Sequence, residues 1–429
     1  VTAWSTPVAT GAVDGTVQVP GSKSETNRAL VLAALADGPG TLSGALEARD
    51  TQLMRDALTA LGAKIDDSDP LLWRITPIDE VTAGATIDCG LAGTVMRFVP
   101  PVAALAPGTV DFTGDTHAKE RPMAGLLQAL RDLGAGVDGD SLPFTLTGNP
   151  DLGATTRILE VDSSATSQYI SGLLLVAPRL PQGLTVEHVG DTLPSLPHIG
   201  MTVAWLRDAG VVVDDAVPRR WRVQPGPIAA REARVEPDLT NAAVFLAAAA
   251  VTGGEVTVPG WPTETDQPGD LIRDILAKMG AEVDFTDAGL RVRGTGVLHG
   301  IDVDLHPASE LTPVVAALAA LASGESRLRN IGHIRGHETD RLAALATEFG
   351  RLGIGVEEES DALTITGVGS NPPGDGGTFA TYADHRMAHA GAIVGLRLPQ
   401  VSLDDVSCTS KTMPTFPQLW ADLIATAQS

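Results

Sequence analysis

The side chains best suited to chemistry in this chain are cations set beside hydroxyls, in short polar segments that precede apolar runs. Gly21-Ser22-Lys23-Ser24 leads into Thr26, Asn27 and Arg28, and on a helix Ser24 and Arg28 share one face. Thr94 and Arg97 stand three apart behind Gly93. Lys119-Glu120-Arg121, His337-Glu338-Thr339-Asp340-Arg341, Asp384-His385-Arg386 and Ser410-Lys411 repeat the theme. The chain has five lysines, Lys23, Lys64, Lys119, Lys278 and Lys411, so three of them falling in these segments is informative. As a set they suit a clamp for more than one phosphate or carboxylate. Ammonium and guanidinium groups there add charge-assisted hydrogen bonds to the free backbone N–H groups of a helix start. Glu310 and Glu338 offer two carboxyls for proton transfer if their surroundings differ. Taken singly, each has a plainer reading: Thr94 or Asp340 as a helix cap, Arg97 as a buried ion-pair partner, a lysine on a surface loop.

The elements that must position these residues recur along the chain. Apolar runs over 29–36, 98–105, 170–176, 242–251, 314–321 and 388–396 follow the polar segments, and their lack of a polar face marks helices buried within a domain. Each is followed by an amphipathic helix pattern. Five of these patterns end at Gly62, Gly134, Gly210, Gly280 and Gly353, whose positions differ by 72, 76, 70 and 73. Strands are predicted over 109–112, 184–189, 255–258 and 401–403. The sixth copy, at Leu419-Trp420-Leu423, lacks its closing strand, which Val17-Gln18-Val19 is expected to supply. Residues 371–377 read as a loop by composition.

At 429 residues the chain exceeds one ordinary core, and two domains are expected. The N-terminus has no signal-peptide pattern and no run approaches a membrane span, so a cytoplasmic protein is expected. A net charge of −23 disfavours nucleic acid and anionic membrane as partners but not small anions. Cys89 and Cys408 are too few for a disulfide framework, and the histidines lack metal-ligand spacing, so neither metal nor cofactor is expected.

Six segments, in order along nearly the whole chain, resemble the 5-enolpyruvylshikimate-3-phosphate (EPSP) synthase family. They are Gly21-Ser22-Lys23-Ser24-x-Thr26-Asn27-Arg28, Leu91-Ala92-Gly93-Thr94-x-Met96-Arg97, Glu120-Arg121-Pro122, Glu338-Thr339-Asp340-Arg341-Leu342, Asp384-His385-Arg386-Met387 and Thr409-Ser410-Lys411-Thr412. The resemblance implies an α/β fold, a two-domain inside-out barrel of six βαβαββ repeats, with buried parallel helices and sheets outside. It places one domain at 21–236 and the other at 1–20 plus 237–429, with the active site in the interdomain cleft. It also implies transfer of the enolpyruvyl group of phosphoenolpyruvate to the 5-hydroxyl of shikimate 3-phosphate, by a monomer inhibited by glyphosate. Carried over residue by residue, Glu310, Glu338 and Lys23 would be catalytic. Lys23, Gly93, Arg121, Gln168, Arg341, Arg386 and Lys411 would hold phosphoenolpyruvate. Lys23, Ser24, Arg28, Thr166, Ser167, Gln168, Ser195, Glu310, His333 and His337 would hold shikimate 3-phosphate.

The chain departs from the family pattern at three places. Many members have Asp where Glu310 stands, Asn where His333 stands and Lys where His337 stands. The nearest alternative is the related enolpyruvyl transferase acting on UDP-N-acetylglucosamine, whose bacterial members usually carry a cysteine before an Arg-Pro pair. The corresponding loop here, Thr116-His117-Ala118-Lys119-Glu120-Arg121-Pro122, has none.

Overall fold

A computed structural model of the chain describes residues 3–155, 158–369 and 376–428. The chain forms two compact units, one of Gly21–Glu236 and one of Val1–Pro20 with Pro237–Ser429. The fold is mixed α/β. Among the described residues, the first unit holds α1 (Lys23–Ala34), α2 (Arg49–Ala60), α3 (Gly93–Ala103), α4 (Ala124–Asp132), α5 (Gln168–Val176) and α6 (Leu196–Asp208). The second holds α7 (Leu239–Thr252), α8 (Ile272–Lys278), α9 (Thr312–Leu321), α10 (Arg341–Arg351), α11 (His385–Gly395) and α12 (Phe416–Ala425).

Each apolar helix starts before its apolar run. α1 opens at Lys23, α3 at Gly93, α9 at Thr312 and α11 at His385, so polar side chains expected in preceding loops lie in first helical turns. Local capping explains part of this. Ser22, Asp238 and Asp384 accept backbone N–H groups at the starts of α1, α7 and α11, and those orphan donors would otherwise go unpaired. α3, α7 and α9 are buried along almost all their length, as helices without a polar face must be. Gly62, Gly134, Gly210, Gly280 and Gly353, which follow the second helices, all have positive φ, the left-handed stop that glycine adopts without a Cβ clash.

In the first unit, Thr86–Asp88 runs parallel to Thr109–Thr113, which pairs antiparallel with Phe144–Thr147, itself antiparallel to Gly136–Asp138. The sheets built on Leu184–His188 and, in the second unit, on Ser323–Arg329 have the same order and senses. Other sheets take one strand from far away in sequence: Glu232–Arg234 lies parallel to Gly40–Ser43, and Asp14–Thr16 parallel to Glu255–Val258.

The N-terminal closure differs from the expectation for Val17-Gln18-Val19. Trp4–Ser5 pairs antiparallel with Val401–Leu403, whose other edge takes Gly377–Phe379 in parallel. Val17 and Val19 belong to no strand and bury their side chains in the second unit's core. Alternation of apolar residues marks an extended, half-buried segment but does not choose its pairing partner. Of the loop expected over 371–377, residues 371–375 lie outside the described residues. Among the described residues, no helix is long and apolar enough to cross a membrane.

Candidate active site

The polar first turns of the first unit meet through short hydrogen bonds. Asn27 Nδ2 donates to Thr94 Oγ1 at 2.6 Å, joining the starts of α1 and α3. Thr94 is therefore not the cap of α3, a position held by Ala92. Lys23, the first residue of α1, places Nζ 3.2 Å from Oδ2 of buried Asp50. Arg28 is buried and donates to Thr202 Oγ1 at 2.7 Å, to Ser24 O at 2.8 Å and to the carbonyl of His198 at 2.9 Å. Burial pushes its pKa down to about 10, against a smaller opposing pull from Glu25.

Arg97 is also buried, and it does not serve as an ion-pair partner. Its Nη2 donates to Pro122 O at 2.7 Å and its Nη1 to Gly93 O at 3.3 Å. Arg121 Nη1 donates to Leu91 O at 3.0 Å. Among the described residues neither guanidinium has a carboxylate in ion-pair range. Burial, and then the Arg121 charge, push the pKa of Arg97 down to about 9. Both guanidinia crowd Gly93: a Cβ there would lie 3.1 Å from Arg97 Nη1 and 3.1 Å from Arg121 Nη2. Two adjacent arginines beside a helix start with no side-chain cap make a setting that favours an anion.

At the start of α5, Thr166 Oγ1 accepts from Gln168 N at 3.3 Å, Ser167 is buried, and Gln168 Oε1 is buried without a hydrogen bond. Ser195 sits at the start of α6 in a left-handed backbone, φ 53°, and its side chain makes no capping bond. Lys119 and Glu120 are exposed on a short 3₁₀ turn.

In the second unit the helix starts converge on Arg341. This buried side chain donates from Nε to Asp384 Oδ2 at 2.8 Å and from Nη1 to Glu310 Oε2 at 2.8 Å. Burial alone would lower its pKa, but Asp384 and Glu310 outweigh that and raise it. Asp384 has a second task, capping α11 by accepting from Arg386 N at 2.9 Å. Arg386 Nε lies 2.6 Å from Glu310 Oε2, an ion pair whose N–H is not aimed at the oxygen. His337 Nδ1 is 3.3 Å from the other oxygen, Oε1. Burial would raise the pKa of Glu310, yet Arg341, Arg386 and His337 together hold it well below the usual carboxylate range. His333 Nε2 sits 2.9 Å from Ser309 Oγ, with its ring edge-on to His306 and His337.

Glu338 occupies a different setting. Lys411 Nζ is 2.6 Å from its Oε1 and His385 Nδ1 is 3.2 Å from its Oε2. Glu338 and Arg341 stand three apart, a spacing that within one helix would put them on the same face. Instead Glu338 precedes α10, which Asp340 caps, and Arg341 turns to Glu310 and Asp384. Glu338, Asp384 and His385 bring potential ligand atoms within 4.8 Å of one another, but Lys411 and Arg341 already neutralise the two carboxylates.

Three partners, one in the first unit and two in the second, had no signal of their pairing in the sequence. Asp50 next to Lys23, His385 next to Glu338 and Asp384 next to Arg341 lie 27, 47 and 43 residues from those partners. Asp384 and His385 at least stood within a noted motif. Asp50 had no local signal beyond an acidic first turn on α2.

An α/β protein with clustered cations at its helix starts and two carboxylates in contrasting settings has the equipment of an enzyme for small polyanions. The chain belongs to the EPSP synthase (3-phosphoshikimate 1-carboxyvinyltransferase) family, whose sequence profile matches residues 8–420. It is a transferase of the shikimate pathway, leading to aromatic amino acids, that moves the enolpyruvyl group of phosphoenolpyruvate to shikimate 3-phosphate. The fold is similar to two solved structures of EPSP synthase from Acinetobacter baumannii. One, at 24% identity, has a TM-score of 0.83 and covers 99% of this chain and 98% of the other. The second, at 23% identity, has a TM-score of 0.81 and covers 98% of each.

Proposed function

We propose that Glu310 is the base on the 5-hydroxyl of shikimate 3-phosphate and that Glu338 and Lys23 serve proton transfer at the phosphoenolpyruvate end. The observation that carries this reading is the contrast between the two carboxylates. Glu310 faces two guanidinia and an imidazole, whereas Glu338 faces one ammonium and an imidazole. The methylene carbon of phosphoenolpyruvate gains a proton while the hydroxyl oxygen, losing its own to Glu310, bonds to the adjacent carbon. The resulting tetrahedral adduct then loses that methyl proton again and expels phosphate, leaving the enol ether. Charge develops on carboxylate and phosphate oxygens, and fixed cations stabilise it without reorganising.

Lys23, Gly93, Arg121, Gln168, Arg341, Arg386 and Lys411 are assigned to phosphoenolpyruvate. Lys23, Ser24, Arg28, Thr166, Ser167, Gln168, Ser195, Glu310, His333 and His337 are assigned to shikimate 3-phosphate. Arg97, beside Gly93 and Arg121, joins the phosphoenolpyruvate set on its geometry. The architecture is read as six βαβαββ repeats, three in each unit, with the apolar helices parallel and the sheets outside. The shared strand order of the sheets supports that reading. Glyphosate is the expected inhibitor, and a monomer the expected state.

The test is phosphate release from phosphoenolpyruvate with shikimate 3-phosphate, with UDP-N-acetylglucosamine as the control acceptor. Release with the first acceptor alone is expected. Release only with the second would overturn the assignment.

A further inference from the structure

We infer that Tyr382 and Glu348 form a latch that holds the turn before α11 in a strained backbone and so positions Asp384, His385 and Arg386. The inference rests on the roles given above to Arg341, Glu338 and Arg386. Tyr382 and Ala383 both have left-handed backbones, with φ of 55° and 54°. Residues bearing a Cβ seldom adopt that region, whereas glycine enters it freely. Two such residues in succession, neither of them glycine, persist only where their surroundings over-determine them.

Those surroundings grip the turn along its length. Thr381 donates from N and Oγ1 to Asp404 Oδ1 at 2.9 and 2.8 Å, and Ala380 N donates to Glu348 Oε2 at 3.0 Å. Tyr382 Oη donates to the other oxygen of Glu348 at 2.7 Å, and Asp384 N closes the turn on Thr381 O at 2.9 Å. The Glu348 side chain is fully buried, and Arg351 reaches Oε1 at 2.7 Å. A buried carboxylate is costly unless donors satisfy it, so Glu348 prefers the geometry that brings Tyr382 and Ala380 to it.

The position of Glu348 on α10 gives the latch its purpose. Glu348 stands two helical turns after Arg341, so the helix that presents Arg341 also grips the turn that delivers Asp384 to it. The same turn sets Arg386 beside Glu310 and His385 beside Glu338. Tyr382 and Glu348 touch none of the groups assigned to the reaction. They are positioning residues, setting the register of α11 against α10.

Tyr382→Phe removes one donor from Glu348, and Ala383→Gly relieves the backbone without touching a hydrogen bond. Steady-state kinetics and thermal melts on both full-length variants test the latch. For Tyr382→Phe, kcat/KM for phosphoenolpyruvate is expected to fall roughly ten-fold, equivalent to losing one half-buried hydrogen bond to a carboxylate. For Ala383→Gly, Tm is expected to rise by about 2 °C while kcat/KM falls several-fold, a pairing that a merely structural turn would not produce. The latch is overturned if both variants keep kcat/KM within two-fold of the native value, or if Ala383→Gly lowers Tm. Should Tyr382→Phe fail to fold, Ala383→Gly decides alone. A native enzyme inactive with both substrates would sink the functional reading, whereas the Tm of Ala383→Gly would still report on the strain.

Discussion

Replacing Gly93 by alanine probes the paired arginines most directly. The added methyl would lie 3.1 Å from Arg97 Nη1 and 3.1 and 3.2 Å from the two terminal nitrogens of Arg121, whereas ordinary contact begins at 3.4 Å. Each guanidinium must therefore retreat by about 0.3 Å. Arg97 is held by two carbonyls and Arg121 by one, so Arg121 yields further. A unit charge pair about 4 Å apart at an effective dielectric of about 20 contributes roughly 4 kcal/mol and loses about 0.3 kcal/mol over that retreat. Two guanidinia facing a doubly charged phosphate lose about 1.2 kcal/mol, close to a seven-fold rise in KM for phosphoenolpyruvate. Because Gly93 is not in the left-handed region and begins α3, the substitution leaves Tm unchanged or slightly raised. The assay is steady-state phosphate release against phosphoenolpyruvate, repeated with glyphosate, whose inhibition weakens in parallel. A KM within two-fold of the native value, in a variant that melts normally, would refute both the packing argument and the assignment of this corner to the phosphate.

Further tests follow from the same site. Glu310→Gln removes the carboxylate that faces Arg341, Arg386 and His337; kcat is expected to fall about 10²–10⁴-fold, and a loss under ten-fold would remove Glu310 from the role of base. Burial, then His337 and His306, pushes His333 down to about 4, so the folded protein resists protonating a group that titrates near 6.5 when unfolded. The stabilisation is complete above about pH 6.5 and is lost as pH falls toward about 4, a loss of about 1–2 kcal/mol once solvent screening is allowed for. His333→Asn should flatten this slope in urea midpoints measured between pH 7 and 4.5; parallel curves would refute the account. Burial, with help from Asp88, pushes the Cys89 thiol up to about 12, and burial together with Asp405 and other nearby carboxylates does the same for Cys408. Native protein at pH 8 should therefore react with a thiol reagent far more slowly than a free thiol, with two equivalents appearing only on unfolding.

Much of the local structure was legible because it depends on neighbours in the chain. An all-round apolar run such as 242–251 has to be a buried helix, and it forms the middle of α7. The strands at Glu255–Val258 and Val401–Leu403 coincide with their Val-rich runs. Helix starts were less legible. α1 begins six residues ahead of its apolar stretch because Ser22 caps it, and polar residues in a first turn look like loop to a reading based on hydropathy.

The amino-acid sequence alone determined which segments are helix or strand, where glycine stops them, and which cations and carboxyls cluster near helix starts. Those properties follow from periodicity, backbone sterics and capping, which act over a few residues. Only the tertiary structure decided which charge faces which. It gave Arg341 to Glu310 and Asp384, set His385 beside the Glu338–Lys411 pair, left Arg97 and Arg121 with no carboxylate in ion-pair range among the described residues, and paired Trp4–Ser5, not Val17–Val19, with Val401–Leu403. Charge and strand partners tens to hundreds of residues apart are selected by burial, since a desolvated ion or an unpaired strand edge must find its complement wherever the chain happens to bring one.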